Sequence, residues 1–244
     1  MCHSDEIEGL SFVFAELDVF EQTSEKRPCC KRCRRPTVTC ICDYFPESAV
    51  DIKTTVHILQ HPREHYTRLL TTVPLLQECL PPDRCIIYVG KTFSEKRFPE
   101  LRSICYSERC VLLYPTHDAI ELGDTSSHQT EGGMPLHLIV IDGTWREAKS
   151  MYSHNSFLHT MKKVKLSGKW KSEFVIRTQP FKDCLCTLEA VAIALGRLEN
   201  KPSLVDIVRK PLKALCNIQF EHGAVPHDSK EEKGKLRREM EPNS

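Results

Sequence analysis

The 244-residue sequence contains no run of about 18 apolar residues, the length a membrane-crossing helix needs. Its first residues, MCHSDEIEGLSFVF, lack a basic stretch followed by a long apolar one. Neither a membrane span nor a secretory signal is therefore expected, and the chain is read as intracellular: cytoplasmic, nuclear or both. An excess of charge of either sign is also missing, since 34 Lys and Arg stand against 33 Asp and Glu. Net charge thus selects no partner, and any nucleic-acid surface must be local. No internal repeat is visible, which sets aside solenoids and propellers. An even cysteine count is lacking too. The 13 cysteines, scattered through strand and helix segments, read as reduced core thiols and metal ligands in a reducing compartment, not as a disulfide framework.

What is present is the composition of a soluble globular protein, 40% hydrophobic and 27% charged, long enough for one main domain with small appendages. Residues 1–26 are acidic and weakly patterned, and residues 222–244 have no apolar periodicity, so both read as flexible ends. Residues 27–48 form a short cysteine-rich appendage, and 49–221 form the main domain. Within that domain IKTTVHILQ, RCIIYVG, RCVLLYP and LHLIVID are β-rich and several are continuously apolar, as strands covered on both faces are. Helix candidates lie between them, at Tyr66 to Leu80, bent or broken near Pro74, and around Phe98 to Tyr106. The fold class expected is α/β, a mostly parallel sheet with flanking helices. Gly123 to Pro135 reads as a long mobile loop over a site, and EFVIR as a further strand. Thr187 to Glu199 places Leu188, Val191, Ala192, Leu195 and Leu198 on one helical face, with Thr187 as N-cap. A last helix from Pro202 to Phe220 is expected to be interrupted near Pro211.

LHLIVID-GTW-REAKSMY sets Asp142 at the end of a buried strand, and Thr144 with Glu147 three residues on has the form of a capping box. A helix starting there aims free backbone N–H groups at whatever lies beyond the strand's carboxyl end, where open α/β sheets bind ligands. The same residues also fit a plain turn and cap, with Trp145 in the core.

Cys30, Cys33, Cys40 and Cys42 give C-x2-C-x6-C-x-C, four soft ligands able to close tetrahedrally around a structural Zn²⁺; free thiols are the alternative. Lys31, Arg32, Arg34 and Arg35 surround them, either facing RNA phosphates or forming a solvated basic turn. Lys162, Lys163, Lys165, Lys169 and Lys171, with Trp170 among them, form a second basic stretch open to the same two readings.

The DGTW corner resembles the Asp-x-Thr-Trp signature of the DTW-domain family, the tRNA-uridine aminocarboxypropyltransferases. From Cys30 to about Leu198 further family segments are recognised in order: CKRCRRPTVTCIC, QHPRE at Gln60 to Glu64, LLYPT and RTQPFKDCLCTLEA. One departure is Cys186, where serine is expected, which leaves a small side chain without a hydroxyl. The resemblance implies a SPOUT-like fold with a C-terminal trefoil knot. It also implies transfer of the 3-amino-3-carboxypropyl group of S-adenosylmethionine to N3 of a uridine in the tRNA D-loop, releasing methylthioadenosine. Asp142 is the catalytic candidate, as acceptor or orienter of the N3 proton. The implied cofactor pocket comprises Tyr114, Pro115, Thr116, Thr144, Trp145, Gln179, Leu185, Cys186 and Thr187. RNA contacts are assigned to His61, Arg63, Lys162, Lys163 and Arg177, with Arg177 equally suited to a cofactor carboxylate or a plain surface role. The expected partner is tRNA, with no membrane and no obligate protein partner. Two other functions fit the same motifs: an S-adenosylmethionine-dependent RNA methyltransferase, and a zinc-stapled RNA-binding protein without catalysis.

Overall fold

The apolar runs assemble into one six-stranded sheet, β1 (Thr55–Gln60), β2 (Cys85–Val89), β3 (Cys110–Leu113), β4 (Ile120–Leu122), β5 (His137–Asp142) and β6 (Lys162–Leu166). The computed structural model describes residues 28–66, 70–122, 136–166, 168, 170–181 and 184–231. Its chain divides into two compact units, Met1–Cys40 and Ile41–Ser244. The sheet lies in the second, in the order β2-β1-β5-β3-β6-β4, and every pairing is parallel. Parallel pairing therefore extends from the centre to both edges. The central β5 is buried from Leu138 to Asp142, which is why its sequence is continuously apolar from Leu138 to Ile141 and not alternating; β1 is buried along its whole length too, with Thr55, His57 and Gln60 as buried polar residues.

Helices cover both faces: α1 (Pro62–Tyr66), α2 (Val73–Cys79), α3 (Pro99–Cys105), α4 (Trp145–His154), α5 (Phe157–Thr160), α6 (Thr187–Leu198) and α7 (Ser203–Glu221). On one face Leu59, Leu112, Ile139 and Ile141 pack with Leu101 of α3, Met151 of α4 and Leu158 of α5. Strand alternation turns Ile58, Leu138 and Val140 to the opposite face, where α6 contacts β5 and β6 and also packs on α2 and α7. Leu188, Val191 and Leu195 of α6 are fully buried, and each such side chain contributes roughly 1.5–3 kcal/mol. The α6–α7 approach requires Gly196: a Cβ there would stand 2.8 Å from Val205 Cγ2. No described helix is long and apolar enough to cross a membrane.

Several local expectations are corrected. Pro74 opens α2 instead of breaking a helix, since a proline in the first turn removes no needed N–H. Pro211 lies inside a continuous α7; packing against α6 outweighs the single backbone bond it removes. Lys162–Leu166 is a strand whose period is hidden by the lysines at 162, 163 and 165. EFVIR is not a strand. The Glu173 N–H donates to Glu189 Oε1 (2.7 Å) and the Phe174 N–H to Ser172 Oγ (3.1 Å), so side chains take up the donors a neighbouring strand would use. The expected loop at Gly123 to Pro135 lies outside the described residues, as do residues 1–26, Lys169 and residues 232–244.

The C-terminal segment read as a flexible tail is pinned in part. After α7 the chain turns at Gly223, whose φ of 88° suits glycine. It then runs back along the 175–180 segment: the His227 N–H donates to Val175 O (2.8 Å), Lys230 N–H to Gln179 O (2.9 Å) and Glu231 N–H to Pro180 O (3.3 Å). Ser229, between them, is buried.

Candidate active site

The corner after β5 has the capping box its sequence suggests. The Thr144 N–H donates to Glu147 Oε2 at 2.9 Å, and the Glu147 N–H donates to Thr144 Oγ1 at 3.3 Å. Gly143 is needed for close approach, because a Cβ there would meet His61 Cβ at 3.3 Å and Glu147 Cβ at 3.2 Å. The β1 loop is tied to the corner by the His61 N–H donating to Asp142 O, 2.8 Å.

Asp142 is 4% exposed and its carboxylate is held from two directions. Gln60 Nε2 donates to Oδ2 at 3.0 Å, from 82 residues away, and Thr187 Oγ1 donates to Oδ1 at 2.5 Å. Gln60 is itself oriented by His65 Nδ1, 2.7 Å from its Oε1. The ends of β1 and β5 and the start of α6 thus meet on one carboxylate, at the carboxyl edge of the sheet. Gln60 lies in the segment singled out by sequence but was given no role there; a buried amide ending an apolar strand was the available signal.

Two clefts adjoin at this edge, sharing Gly143, Trp145, Leu185, Cys186 and Thr187 in their walls. The larger, about 470 Å³, is mainly apolar and is bounded by the aromatic rings of Tyr114, Trp145, Trp170 and Phe181. The smaller, about 280 Å³, is polar and contains Asp142, Thr144, Gln179, Arg177, Arg146 and Lys230. Trp145 is 43% exposed, so it lines a cleft and is not a core residue. Tyr114 and Pro115 line the apolar cleft, whereas Thr144 and Gln179, expected in the same pocket, belong to the polar one. Thr116 lines neither cleft; its N–H donates to Tyr114 O at 2.9 Å. Tyr114 stacks on Tyr152 with centroids 4.6 Å apart, and burial raises its phenol above the usual range.

The shared wall at 185–187 is fixed by Glu189, a carboxylate in the first turn of α6. It is fully buried and accepts from Ser172 Oγ (2.7 Å), Glu173 N–H (2.7 Å), Cys186 N–H (2.9 Å) and Arg209 Nη2 (3.3 Å). The α6 N-cap is Cys186, not Thr187. That one-residue shift frees the Thr187 hydroxyl for Asp142. Burial, then the Glu189 charge, pushes the Cys186 thiol well up, which disfavours the thiolate form.

The expected RNA-contacting residues separate. His61 is buried and lines neither cleft. Its Nδ1 accepts the Arg63 N–H at 3.2 Å and lies 3.5 Å from Glu147 Oε1. Arg63 is exposed on α1. Arg177 pairs with the buried Glu64, Nη1 to Oε1 at 2.6 Å and Nη2 to Oε2 at 3.3 Å, which answers the plain-surface reading. Lys162 is exposed, but Lys163 is turned inward, its Nζ donating to Asp118 Oδ2 at 2.9 Å and His159 O at 2.8 Å. Strand alternation sets them on opposite faces, so Lys163 does not join a basic stripe. Its hydrogen bond, followed by one from Thr116, draws the Asp118 carboxyl down to about 2.

In the cysteine-rich segment a tight turn brings the thiols together, the Cys30 N–H donating to Arg35 O (2.8 Å) and the Arg34 N–H to Cys30 O (2.9 Å). The sulfurs of Cys30, Cys33, Cys40 and Cys42 all lie within 4.8 Å of one another, and those of Cys33 and Cys40 are 3.7 Å apart. A tetrahedral thiolate site with bonds of about 2.3 Å needs sulfurs about 3.8 Å apart, so the set can hold a metal ion.

The chain's similarities agree with this geometry. It is 42% identical over 208 residues to tRNA-uridine aminocarboxypropyltransferase 2 of Mus musculus, covering 85% of this chain and 69% of that protein. The protein of the same name from Macaca fascicularis is 40% identical, covering 86% and 70% of the two chains. That from Drosophila melanogaster is 39% identical, covering 84% and 80%. No solved structure matches the chain. Residues 27–220 match the DTW domain, a span that takes in the thiol cluster, the Asp142 corner and the cleft wall at 185–187, and the chain belongs to the DTW domain family.

Proposed function

We propose that this protein is a tRNA-uridine aminocarboxypropyltransferase that uses S-adenosylmethionine and modifies N3 of a D-loop uridine. The observation that carries the reading is the pair of adjoining clefts, one apolar and aromatic, the other polar with a fixed carboxylate, in a chain about 40% identical to proteins named for this activity. A volume of about 470 Å³ falls within the size range of small-ligand sites, and the rings of Trp145, Trp170 and Phe181 suit the adenine and ribose of an adenosyl group. The donor supplies an electrophilic Cγ on a sulfonium, so that bond formation to N3 accompanies cleavage of the Cγ–S bond and departure of methylthioadenosine. Which carbon is attacked depends on which one lies in line with the nucleophile.

Asp142 receives or orients the N3 proton. The hydrogen bonds from Gln60 and Thr187 fix the direction of its carboxylate. The uridine must be unpaired or turned out to present N3, and the polar cleft takes its Watson–Crick edge. Zn²⁺ on Cys30, Cys33, Cys40 and Cys42 is structural, because four thiolates leave no open coordination position.

Single-turnover incubation with unmodified tRNA and S-adenosylmethionine, followed by mass spectrometry of nucleosides and spent cofactor, is the test. The expected products are acp3U and methylthioadenosine. S-adenosylhomocysteine with a methylated base, or tRNA bound but unchanged, refutes the proposal.

A further inference from the structure

Three cations line the polar cleft, and they are not equivalent. Arg177 is committed to the buried Glu64. Arg146, in the first turn of α4, and Lys230 are both exposed, and neither has a carboxylate within ion-pair distance among the described residues. Other lysines around the fold contrast with them: Lys163 is paired with Asp118 and Lys201 with Asp51. The one acidic side chain deep in the same cleft besides Glu64 is Asp142, already engaged by Gln60 and Thr187. Two unpaired cations at the rim of a cleft whose floor is a held carboxylate give the mouth a positive character that the floor lacks.

Lys230 reaches this position only because the segment after α7 returns to the site. Residues 227–231 bond through their N–H groups to the carbonyls of Val175, Gln179 and Pro180. His227 Nδ1 also lies 3.1 Å from Thr178 Oγ1. The strap thus braces the 177–180 wall and sets Lys230 beside it. The DTW match ends at residue 220, so this part of the cleft is built from outside the family's domain.

Resting on the reading of the polar cleft as the acceptor-uridine site, we infer that the 227–231 strap belongs to the tRNA-binding surface, with Lys230 contacting a backbone phosphate next to the uridine. Phosphate is the fitting ligand because a flipped or unpaired nucleotide entering a narrow polar cleft brings its flanking phosphates to the rim, where a mobile ammonium meets them without sequence preference.

The test is equilibrium binding of unmodified tRNA to the full chain across a salt series, with Lys230→Glu, Lys230→Ala and Lys230→Arg. Lys230→Glu is expected to weaken binding about tenfold or more. Lys230→Ala should lower the slope of log affinity against log salt by about 0.7–0.9, the value of one phosphate contact. Lys230→Arg should restore both. Binding of Lys230→Glu within twofold of the unaltered chain overturns the inference. So does a Lys230→Ala loss with unchanged salt slope, which would mean the strap acts by packing alone. The binding measurement requires no turnover, so an unaltered chain that binds tRNA but transfers nothing defeats the catalytic proposal and still decides the role of Lys230.

Discussion

Replacing Glu189 by alanine tests whether the cleft wall depends on one buried carboxylate. In the intact protein that group, at 0% exposure, accepts from Ser172, Glu173, Cys186 and Arg209. Truncation leaves the Arg209 guanidinium with only the 3.6 Å approach of Glu173 Oε2 and strands two backbone N–H groups. Removing one member of a buried ion pair costs about 3–5 kcal/mol, and each stranded donor about 1–3 kcal/mol. Water entering the vacated volume and rotation of the Ser172 hydroxyl offset part of this. The expected loss is therefore about 3–5 kcal/mol, or roughly 6–20 °C in Tm at about 2–4 °C per kcal/mol for a chain of this size. Glu189→Gln should fall between the two. With its oxygen toward Glu173 and Arg209, its amide faces Ser172, which can turn to accept, and strands only the Cys186 N–H, for about 1–3 kcal/mol. Urea unfolding followed by circular dichroism gives the energies, and amide exchange at Glu173 and Cys186 locates the damage. A loss below about 1 kcal/mol for Glu189→Ala, with both amides still protected, refutes the reasoning.

The remaining predictions concern the other charged and ligating groups. Asp142→Asn should fold normally, because Gln60 can reverse its amide between positions 142 and 65, yet slow transfer by about 10²–10⁴-fold, the usual contribution of a general base; turnover at the unaltered rate removes Asp142 from the mechanism. His57 is fully buried, 2.9 Å from His137, and burial first and the His137 charge second push it down to about 4. Because the folded value lies below the unfolded 6.5, the unfolded chain takes up the proton first; stability is fully present above pH 6.5 and falls toward pH 4 by up to roughly 3 kcal/mol. Urea titrations at pH 7.5 and 5 should show a pH difference that shrinks in His57→Leu, and an equal difference in both proteins contradicts this. Elemental mass spectrometry should find one zinc per chain, reduced in Cys33→Ser; a metal-free protein purified without chelator rules the site out.

Elements whose causes are local were legible in the amino acids. The Asp142–Trp145 corner reads correctly because a buried strand, a turn and a capping box succeed one another within a few residues. α6 reads correctly because its apolar face repeats over three turns, although the cap, set by Glu189 reaching back to Cys186, lies one residue earlier than Thr187. β6 is hidden because Lys162, Lys163 and Lys165 leave only one fully buried apolar residue in the strand, Val164, and EFVIR resembles a strand because apolar residues that anchor a turn look like one until their backbone partners are known.

From sequence alone came the α/β class, the cysteine set and the carboxylate at a strand end, all properties of neighbours along the chain. Only the tertiary structure decided that Gln60 and Thr187 hold that carboxylate, that Trp145 faces a cleft, that Lys163 points inward and that the segment after α7 comes back to the site. Each of these depends on strand order and on which faces meet, and contacts between residues far apart in the chain leave no periodic trace in the sequence that makes them.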